Sequence, residues 1–582
     1  MSKVPRTVLF LALLGVLALL VACRPAAAPT PTPTHAPAPT PAPAVVPTPT
    51  PVTAPAPAPA GPTPTPFIAP TPRVVVTPTP TPAAPVGPKR GGTLRFVPHA
   101  DPATLDPTWT TAYITRNYAY HVFDVLLARD EKMELRPQMV ETWRVSPDGT
   151  EYTFVLRDGL QFHDGTPVTS EEAVLSLQRW GKQDPQARII FAALEKIETI
   201  DAKTFRMKLK EPLGLTLEAI GKPSSYLPVV FKKEDALKPP TERADARIGS
   251  GPYKLVVHQP GHKLEFVRND AYRPRPEPPS GLAGGKIAYL DRMEWLIMPD
   301  RATALAALRT GTIDYLEDPL LDTYDILARD PDVQIFIVPY GSQPWLRFNV
   351  LHPPFDKPLA RRAVQIAADQ AAYLRAAYGP ERFWNRCLAL FLCGGPWEST
   401  AGTELAPRGD IERGRQWLRE AGYDGRPIVV IAPGDLPTLF NASIVTKELL
   451  ERLGAKVDFV STDWATVVTR RARRDPPDQG GWNIFHTSWV FFDIMDPTVH
   501  QGLTPWFGFY SNPKMDELRI QWAKETDPAK RKQIVDEIQK LYYEDAPYVN
   551  LGQFFTIRAA QKYVKGIINH PVPFLWNIWL DK

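Results

Sequence analysis

Residues 141–174 read ETWRVSPDGTEYTFVLRDGLQFHDGTPVTSEEAV and carry the clearest structural pattern of the 582-residue chain. The Pro-Asp-Gly sequence at 147–149 is typical of a turn. After it, Tyr152, Phe154 and Leu156 alternate with other residues, which is the period of a strand with one buried face. This part of the segment therefore predicts a turn followed by a half-buried strand.

The same segment continues into a second turn and a helix. Asp164 and Gly165 form a turn signal. Thr169 and Glu172 have the spacing of a capping box, in which both side chains bond backbone N–H groups at the start of a helix. Apolar residues between 173 and 180 fall on one side of that helix. The His-Asp pair that ends in Asp164 is interpreted as part of the turn and is given no catalytic role.

This order of turns, strand pair and capped helix resembles the signature of the family 5 extracellular solute-binding proteins, the peptide and nickel receptors of ABC importers. Further segments match that family in the same order through the folded part of the chain. They are GGTLR at 91–95, LDP at 105–107, LRP at 135–137, GSGPY at 249–253, TIDY at 312–315, PPF at 353–355 and RRAV at 361–364. In GSGPY, the glycines are expected to allow close backbone approach where the chain returns to its first lobe.

The resemblance implies an α/β fold of the type II periplasmic-binding-protein kind. Two lobes are joined by crossing strands, the ligand is enclosed between them, and an additional domain is inserted in the near lobe. We expect the near lobe at 89–134, 246–338 and 554–582, the additional domain at 135–245 and the far lobe at 339–553. About 490 residues are too many for a single core, which agrees with several lobes.

The segment WVFFDIMDP at 489–497 resembles the ligand-binding segment of the peptide-binding members. That resemblance implies that Asp493 holds the free ammonium of a peptide, since a carboxylate in a water-poor cleft needs a cationic partner. There is one departure: three residues separate Trp489 from Asp493, where the family commonly has two. Capping, or pairing with an Arg or Lys of the protein, is the alternative role for Asp493.

The other candidate ligand contacts are aromatic side chains, namely Trp489, Phe491, Phe492, Trp345, Trp109 and Tyr113. The resemblance implies that Trp109 and Tyr113 lie in the near-lobe loop that reaches the ligand. For the tryptophans and phenylalanines of the far lobe, burial in the core is the alternative. A peptide carboxylate favours an arginine, and the far lobe offers Arg347, Arg382 and Arg386 without a means of choosing among them.

The N-terminus has the pattern of a lipoprotein export signal. Lys3 and Arg6 precede an apolar run at 8–21, which is too short for a stable membrane span. The LVAC sequence ending at Cys23 resembles a lipobox, which implies that residues 1–22 are removed and that Cys23 is acylated. The alternative is an ordinary signal followed by an incidental cysteine. Acylation predicts an extracytoplasmic protein that touches the membrane through its lipid anchor only.

Residues 23–88 are predicted to form a disordered, semi-rigid linker. After Cys23 this segment holds 24 of the chain's 66 prolines and no acidic residue. Such a composition cannot bury enough apolar surface to offset the entropy of an ordered chain. At about 3.1 Å per residue, the linker could span on the order of 200 Å when extended.

The folded part contains two cysteines, Cys387 and Cys393. An exported, oxidising setting favours a disulfide between them. Metal ligation is the alternative, but no histidine lies between His352 and His486. No metal and no other cofactor are expected.

Charge and motifs exclude several classes of protein. Four of the 67 basic residues precede Lys89, which leaves 63 against 63 acidic residues in the folded part. A neutral body lacks the basic footprint of a nucleic-acid binder. The basic run at 470–474 is interpreted as a solvated helix end. The sequence has no zinc-peptidase, nucleophile-elbow or P-loop motif, which disfavours an enzyme.

These features predict a lipid-anchored, monomeric protein that captures peptides and delivers them to the permease subunits of an ABC importer, without a catalytic step. One alternative keeps the fold and changes the cargo to a nickel chelate, an oligosaccharide or an opine. A second is a surface-anchored hydrolase that uses Asp493 and Asp496, although Pro497 favours a turn there. A third, an adhesive wall protein, predicts no closed cleft.

Overall fold

The structure, a computed structural model, describes residues 87–239, 241–434 and 436–582. The predicted signal peptide, the acylation site Cys23 and the predicted linker as far as residue 86 lie outside the described residues.

Strands form the framework of the described part. They are β1 Thr93–Val97, β2 Leu127–Arg129, β3 Leu135–Pro137, β4 Val140–Val145, β5 Glu151–Leu156, β6 Leu194–Thr199, β7 Thr204–Leu209, β8 Tyr253–Gln259, β9 Lys263–Arg268, β10 Arg292–Leu296, β11 Tyr315–Leu316, β12 Val333–Ile337, β13 Ser342–Phe348, β14 Trp384–Asn385, β15 Ile428–Pro433, β16 Val457–Thr462, β17 Ile484–Val490, β18 Tyr548–Asn550, β19 Gln553–Phe554, β20 Ile557–Gln561, β21 Val564–Lys565 and β22 Trp579–Leu580.

Helices connect and cover these strands. They are α1 Tyr113–Val122, α2 Ser170–Gly181, α3 Pro185–Ala193, α4 Leu215–Ile220, α5 Lys233–Ala236, α6 Arg301–Arg309, α7 Tyr324–Ala328, α8 Pro358–Ala367, α9 Gln370–Tyr378, α10 Ile411–Glu420, α11 Pro437–Arg452, α12 Trp464–Arg470, α13 Pro513–Lys524 and α14 Pro528–Asp545. Across the three described ranges, none of the helices combines the length and apolar character that crossing a membrane requires.

The first sheet has the strand order β12-β20-β11-β1-β10-β9-β8. Its central strand β1 runs parallel to β10 and β11, and the outer pairs are antiparallel. Phe96 of β1 lies opposite both Trp295 and Tyr315 and meets each ring edge-on at 5.4 and 5.3 Å. These three rings are buried and form the centre of the near lobe.

The second sheet has the order β14-β19-β13-β17-β15-β16, with β18 also paired to β13. Strand β15 runs parallel to β16 and β17, whereas β13 and β17 are antiparallel. Leu346, Phe348, Val364, Ile428 and Leu450 belong to one buried cluster between this sheet and its helices. The carboxyl end of β17 leads directly into the predicted ligand-binding segment.

The third sheet, β4-β5-β7-β6, is antiparallel and contains the segment from which the sequence analysis started. Tyr152, Phe154 and Leu156 are buried and alternate with half-buried residues, as predicted. The predicted capping box is also present at the start of α2, where Thr169 and Glu172 bond backbone N–H groups. Both local predictions are confirmed. The sequence was sufficient for them because each feature depends on neighbouring residues alone.

The chain crosses between the first and second sheets twice, from β12 to β13 and from β19 to β20. The two crossings lie side by side, since the amide of Val338 donates to the carbonyl of Thr556 at 2.9 Å. At Gly341, φ is +64° and a Cβ atom would lie 2.6 Å from the Phe554 carbonyl oxygen, so glycine is required there.

The expected two-lobed α/β fold with an additional domain is confirmed by these three sheets and two crossings. The close backbone approach expected of GSGPY is present, because a Cβ on Gly249 would lie 2.0 Å from the Val122 carbonyl oxygen. The residue limits given above for the lobes and the additional domain stay a prediction.

Candidate functional site

The end of β17 positions the predicted ammonium-binding carboxylate. After Val490 the backbone tightens into a short 3₁₀ turn, Phe491–Asp493. Asp493 is only 5% exposed, and its Oδ1 accepts a hydrogen bond of 2.6 Å from the hydroxyl of Ser225. A residue that follows α4 therefore meets a residue that follows β17 at this carboxylate.

Two residues of α1 shape the electrostatics around Asp493. Burial, followed by the charge of Asp493, raises the pKa of the Tyr113 hydroxyl well above its ordinary value. Burial lowers the pKa of Arg116, and the charge of Asp493 opposes that shift. The guanidinium of Arg116 donates to Asn117 and Ser224. In residues 87–239, 241–434 and 436–582, no Lys or Arg nitrogen lies within 4.0 Å of a carboxylate oxygen of Asp493.

A cavity of about 290 Å³ borders Asp493. Its wall joins residues from three separate parts of the chain, at 111, 184–226 and 489–506, and we call it the cleft cavity. The lining residues are Thr111, Asp184, Pro185, Gln186, Lys222, Ser225, Tyr226, Trp489, Asp493, Val499, Gln501 and Trp506. A larger surface depression of about 540 Å³ lies between segments 130–137 and 275–284 and includes none of the predicted site residues.

The structure places Trp489 in this wall and Trp345 behind it. The Trp489 ring lies 5.3 Å from Trp506, which also lines the cavity, and 5.6 Å from Trp345. Trp345 is fully buried, stacks on Tyr548 at 4.2 Å, and donates its indole N–H to Gln343 at 2.5 Å. Trp345 therefore lies in the core, which was the alternative to a ligand contact, because Tyr548 and Gln343 already occupy its ring face and its indole N–H.

The four other aromatic candidates, Phe491, Phe492, Trp109 and Tyr113, do not line the cleft cavity. Phe491 is 1% exposed and stacks on Tyr340 at 4.9 Å, and Phe492 is 3% exposed. Both side chains anchor the turn that presents Asp493. Trp109 is half-buried beneath the guanidinium of Arg243, 5.7 Å away.

None of the three arginines considered for a peptide carboxylate borders the cleft cavity. Arg347 is fully buried, and it donates to the carbonyl oxygens of Phe507 at 2.7 Å and Gly502 at 2.8 Å. Burial lowers its pKa to about 10, so it remains a cation at neutral pH. Arg382 and Arg386 are exposed and pair with surface aspartates. Arg347 instead holds the loop that carries Trp506.

The prediction of a solvated helix end at 470–474 is wrong for two residues. Arg470 is half-buried and donates to the carbonyl oxygens of Gly480 and Gly481. The guanidinium of Arg471 lies 4.6 Å from the Phe507 ring centroid and 5.1 Å from that of Trp506. It also lies within 5.6 Å of the rings of Trp464 and Phe485. Aromatic faces attract cations, so Arg471 supports Trp506 from the side.

Residues 184–226 contribute to the cleft cavity, which no prediction from the sequence included. Asp184 caps α3 through the amide of Ala187 at 2.9 Å, and its other oxygen forms an ion pair with Lys222. Gln186 follows in the same helix and donates to the hydroxyl of Thr498 at 2.7 Å. The sequence signals a helix cap at Asp184, but nothing in it relates this cap to Asp493.

Asp496 and the cysteines have structural surroundings. The Asp496 carboxylate accepts from the amide and hydroxyl of Thr498 at 2.8 and 2.5 Å, which stabilises a turn, and it does not line the cleft cavity. Cys387 and Cys393 are joined as a disulfide, with their Cα atoms 5.8 Å apart. In the part of the chain that the structure describes, no group of His, Cys, Asp or Glu side chains is arranged to hold a metal ion.

Comparisons with known proteins agree on one family. A sequence model described as "Bacterial extracellular solute-binding proteins, family 5 Middle" matches residues 134–510. A relative in Sinorhizobium fredii, the "Probable peptide ABC transporter periplasmic-binding protein y4tO", is 37% identical over 492 residues, which cover 82% of this chain and 91% of the relative.

Solved structures share the fold. The periplasmic binding protein DppA from Helicobacter pylori, in complex with the peptide STSA, superposes with a TM-score of 0.69 at 21% identity, covering 85% of this chain and 99% of DppA. The binding protein AgaA from A. tumefacien R10, in complex with agropinic acid, has a TM-score of 0.68 at 23% identity, covering 84% of this chain and 99% of AgaA.

Proposed function

Since the chain belongs to the family 5 bacterial extracellular solute-binding proteins, we propose that it binds peptides in the cleft cavity and delivers them to the permease of an ABC importer. The family description places the chain outside the cytoplasm. The proposed cycle has no catalytic step: hinge motion at the two crossings encloses the ligand, and reopening at the permease releases it.

The main observation in favour of a peptide as the ligand is the state of Asp493. Asp493 is a buried carboxylate at the cavity wall, and within the described ranges no Lys or Arg nitrogen lies within 4.0 Å of it. A buried carboxylate is costly unless a cation and hydrogen bonds compensate it. The hydroxyl of Ser225 supplies one hydrogen bond, and the charge of Arg116 acts on Asp493 without a direct contact. The ammonium of a peptide would supply the missing direct ion pair and further donors. The relative in Sinorhizobium fredii, named as a probable peptide-binding protein, supports the same cargo.

Native mass spectrometry of the protein purified from a peptide-rich culture tests this proposal. We expect adducts whose masses disperse as short peptides and which sequencing identifies after denaturation. A single non-peptide adduct would overturn the peptide assignment while keeping the solute-binding role. Turnover of added peptides by the purified protein would instead contradict the absence of a catalytic step.

We also propose that the protein is a monomer tethered through acylated Cys23. The support is the LVAC sequence at the end of the apolar run and the Pro-rich segment that follows it. Metabolic labelling with an alkyne-tagged fatty acid should mark the protein, and Cys23→Ser should abolish the label and move the protein from the membrane to the soluble fraction. Labelling that survives Cys23→Ser would contradict this anchor.

A further inference from the structure

Lys222 is a second charged group in the wall of the cleft cavity. Its side chain is 8% exposed and forms an ion pair with Asp184, whose side chain is fully buried. A lysine ammonium has three N–H donors. Within the described residues, the hydrogen bond to Asp184 is the one that the ammonium of Lys222 makes, so two of its donors remain for a ligand.

Two pairs of opposite charges lie at or beside the cavity before any ligand enters. Lys222 offsets Asp184, and the buried Arg116 lies close enough to Asp493 for the two charges to affect each other. An ammonium bound at Asp493 would therefore add one positive charge next to a side chain that is only 5% exposed. A ligand that also carries a carboxylate restores neutrality, which favours a zwitterion over a simple amine.

Lys222 is better placed than Arg116 to receive that carboxylate. Arg116 does not line the cavity, and its guanidinium already donates to Asn117 and Ser224. Lys222 lines the cavity and keeps two donors free. The far-lobe arginines are excluded by their positions, as described above.

The size of the cavity limits the length of the ligand. Its volume of about 290 Å³ is at the lower end of the range of roughly 300–1,000 Å³ that is usual for ligand pockets. An extended chain spans at most about 3.3–3.6 Å per residue, so the ends of a dipeptide lie about 7 Å apart.

Gln186 and Trp489, which also line the cavity, contain a buried amide oxygen and a buried indole N–H that have no hydrogen-bond partner in the described part of the chain. The amide of a dipeptide has one donor and one acceptor, which matches these two atoms.

We propose that Lys222 is the carboxylate-binding residue of the cleft cavity and that the ligand is a zwitterion of dipeptide size, with its ammonium at Asp493 and its carboxylate at Lys222. This inference rests on the proposed function, because it takes a peptide as the ligand of the same cavity.

Titration calorimetry of the purified protein with a series of alanine peptides tests the proposal. The probes are alanyl-alanine, its C-terminal amide, and tetra-alanine. Since a hydrogen bond to a charged group is worth about ten- to hundredfold in affinity, amidation should weaken binding by that factor. Tetra-alanine should bind at least tenfold more weakly than alanyl-alanine.

Lys222→Met should bind alanyl-alanine about ten- to hundredfold more weakly and should no longer distinguish it from the amide. The matched control is Lys182→Met, which changes an exposed lysine and should keep the full preference for the free acid. Because Lys222→Met leaves Asp184 unpaired, the double variant Asp184→Asn/Lys222→Met restores neutrality while an Asn still caps α3, and it should show the same loss of discrimination.

The outcomes separate this proposal from the one on which it rests. Equal affinity of the wild-type protein for alanyl-alanine and its amide, with clear binding of both, would overturn the role of Lys222 and leave peptide binding intact. Tetra-alanine that binds as tightly as alanyl-alanine would overturn the size limit. Peptides found neither by titration nor as native adducts would overturn the proposed function itself.

Discussion

Asp493→Asn removes the charge of the proposed ammonium site while it keeps the shape of the side chain. The Asn oxygen can still accept the 2.6 Å hydrogen bond from Ser225, so the turn at Phe491–Asp493 should persist. Asp493 is 5% exposed, and its charge is therefore weakly screened by solvent. Removing one partner of a buried ion pair costs about 3–5 kcal/mol, which corresponds to about 100- to 4,000-fold in Kd. Arg116 favours the upper part of this range, because its charge would then repel the incoming ammonium.

The assay is titration calorimetry with alanyl-alanine, accompanied by thermal unfolding of each variant. Asp496→Asn is the matched control: Asp496 lies three residues away, does not line the cleft cavity, and stabilises a turn that an Asn can also form. We expect its Kd to remain within a few-fold of that of the wild-type protein. A Kd of Asp493→Asn that is also within a few-fold of the wild-type value, in a folded variant, would refute the ammonium contact.

Three further predictions concern stability. Trp345→Ala should lower the free energy of unfolding by about 3–5 kcal/mol, because the fully buried ring leaves a cavity; a loss below 1 kcal/mol in urea unfolding would contradict that role. Burial lowers the pKa of His486 and His500 to about 3, so each stays neutral in the folded state. The free energy of unfolding that these neutral histidines contribute is fully present above about pH 6.5. It is lost as the pH falls towards 3, at up to about 1.4 kcal/mol per pH unit for each group. Urea unfolding at pH 7.0 and 5.5 should show this decrease, and His500→Gln should reduce it; equal stability at both values would contradict the buried neutral state. Replacing both Cys387 and Cys393 by Ala should cost about 2 kcal/mol in the chain-entropy account of a short loop, and a reductant should then have no further effect.

The sequence predicts local structure correctly where neighbouring residues alone determine it. The capping box at Thr169 and the buried face of β5 depend on spacing along a few residues, and both are present. Asp493 was found because it lies in a segment with a family resemblance. Its surroundings have no such signal. Ser225 and Lys222 precede Asp493 by more than 260 residues, and they reach the same cavity only because distant parts of the chain pack together.

For the aromatic and arginine candidates, the sequence does not determine whether a side chain faces the cavity or the core. Spacing along β17 does not reveal whether a ring faces the cavity or the core, and only the partners decide between them. Trp489 meets Trp506 in the cavity wall, whereas Trp345 is engaged by Tyr548 and Gln343 behind it. Arg347 is a similar case, since backbone carbonyl oxygens take its donors.

The sequence by itself therefore determined the family, the class of fold, the local elements and the position of Asp493, because periodicity, capping and ordered motifs are properties of short segments. The tertiary structure alone decided which side chains surround the cleft cavity. Lys222, Gln186 and Trp506 have no recognisable signal in the chain, since their role arises only when segments far apart in sequence pack together and leave a small, poorly solvated space between them.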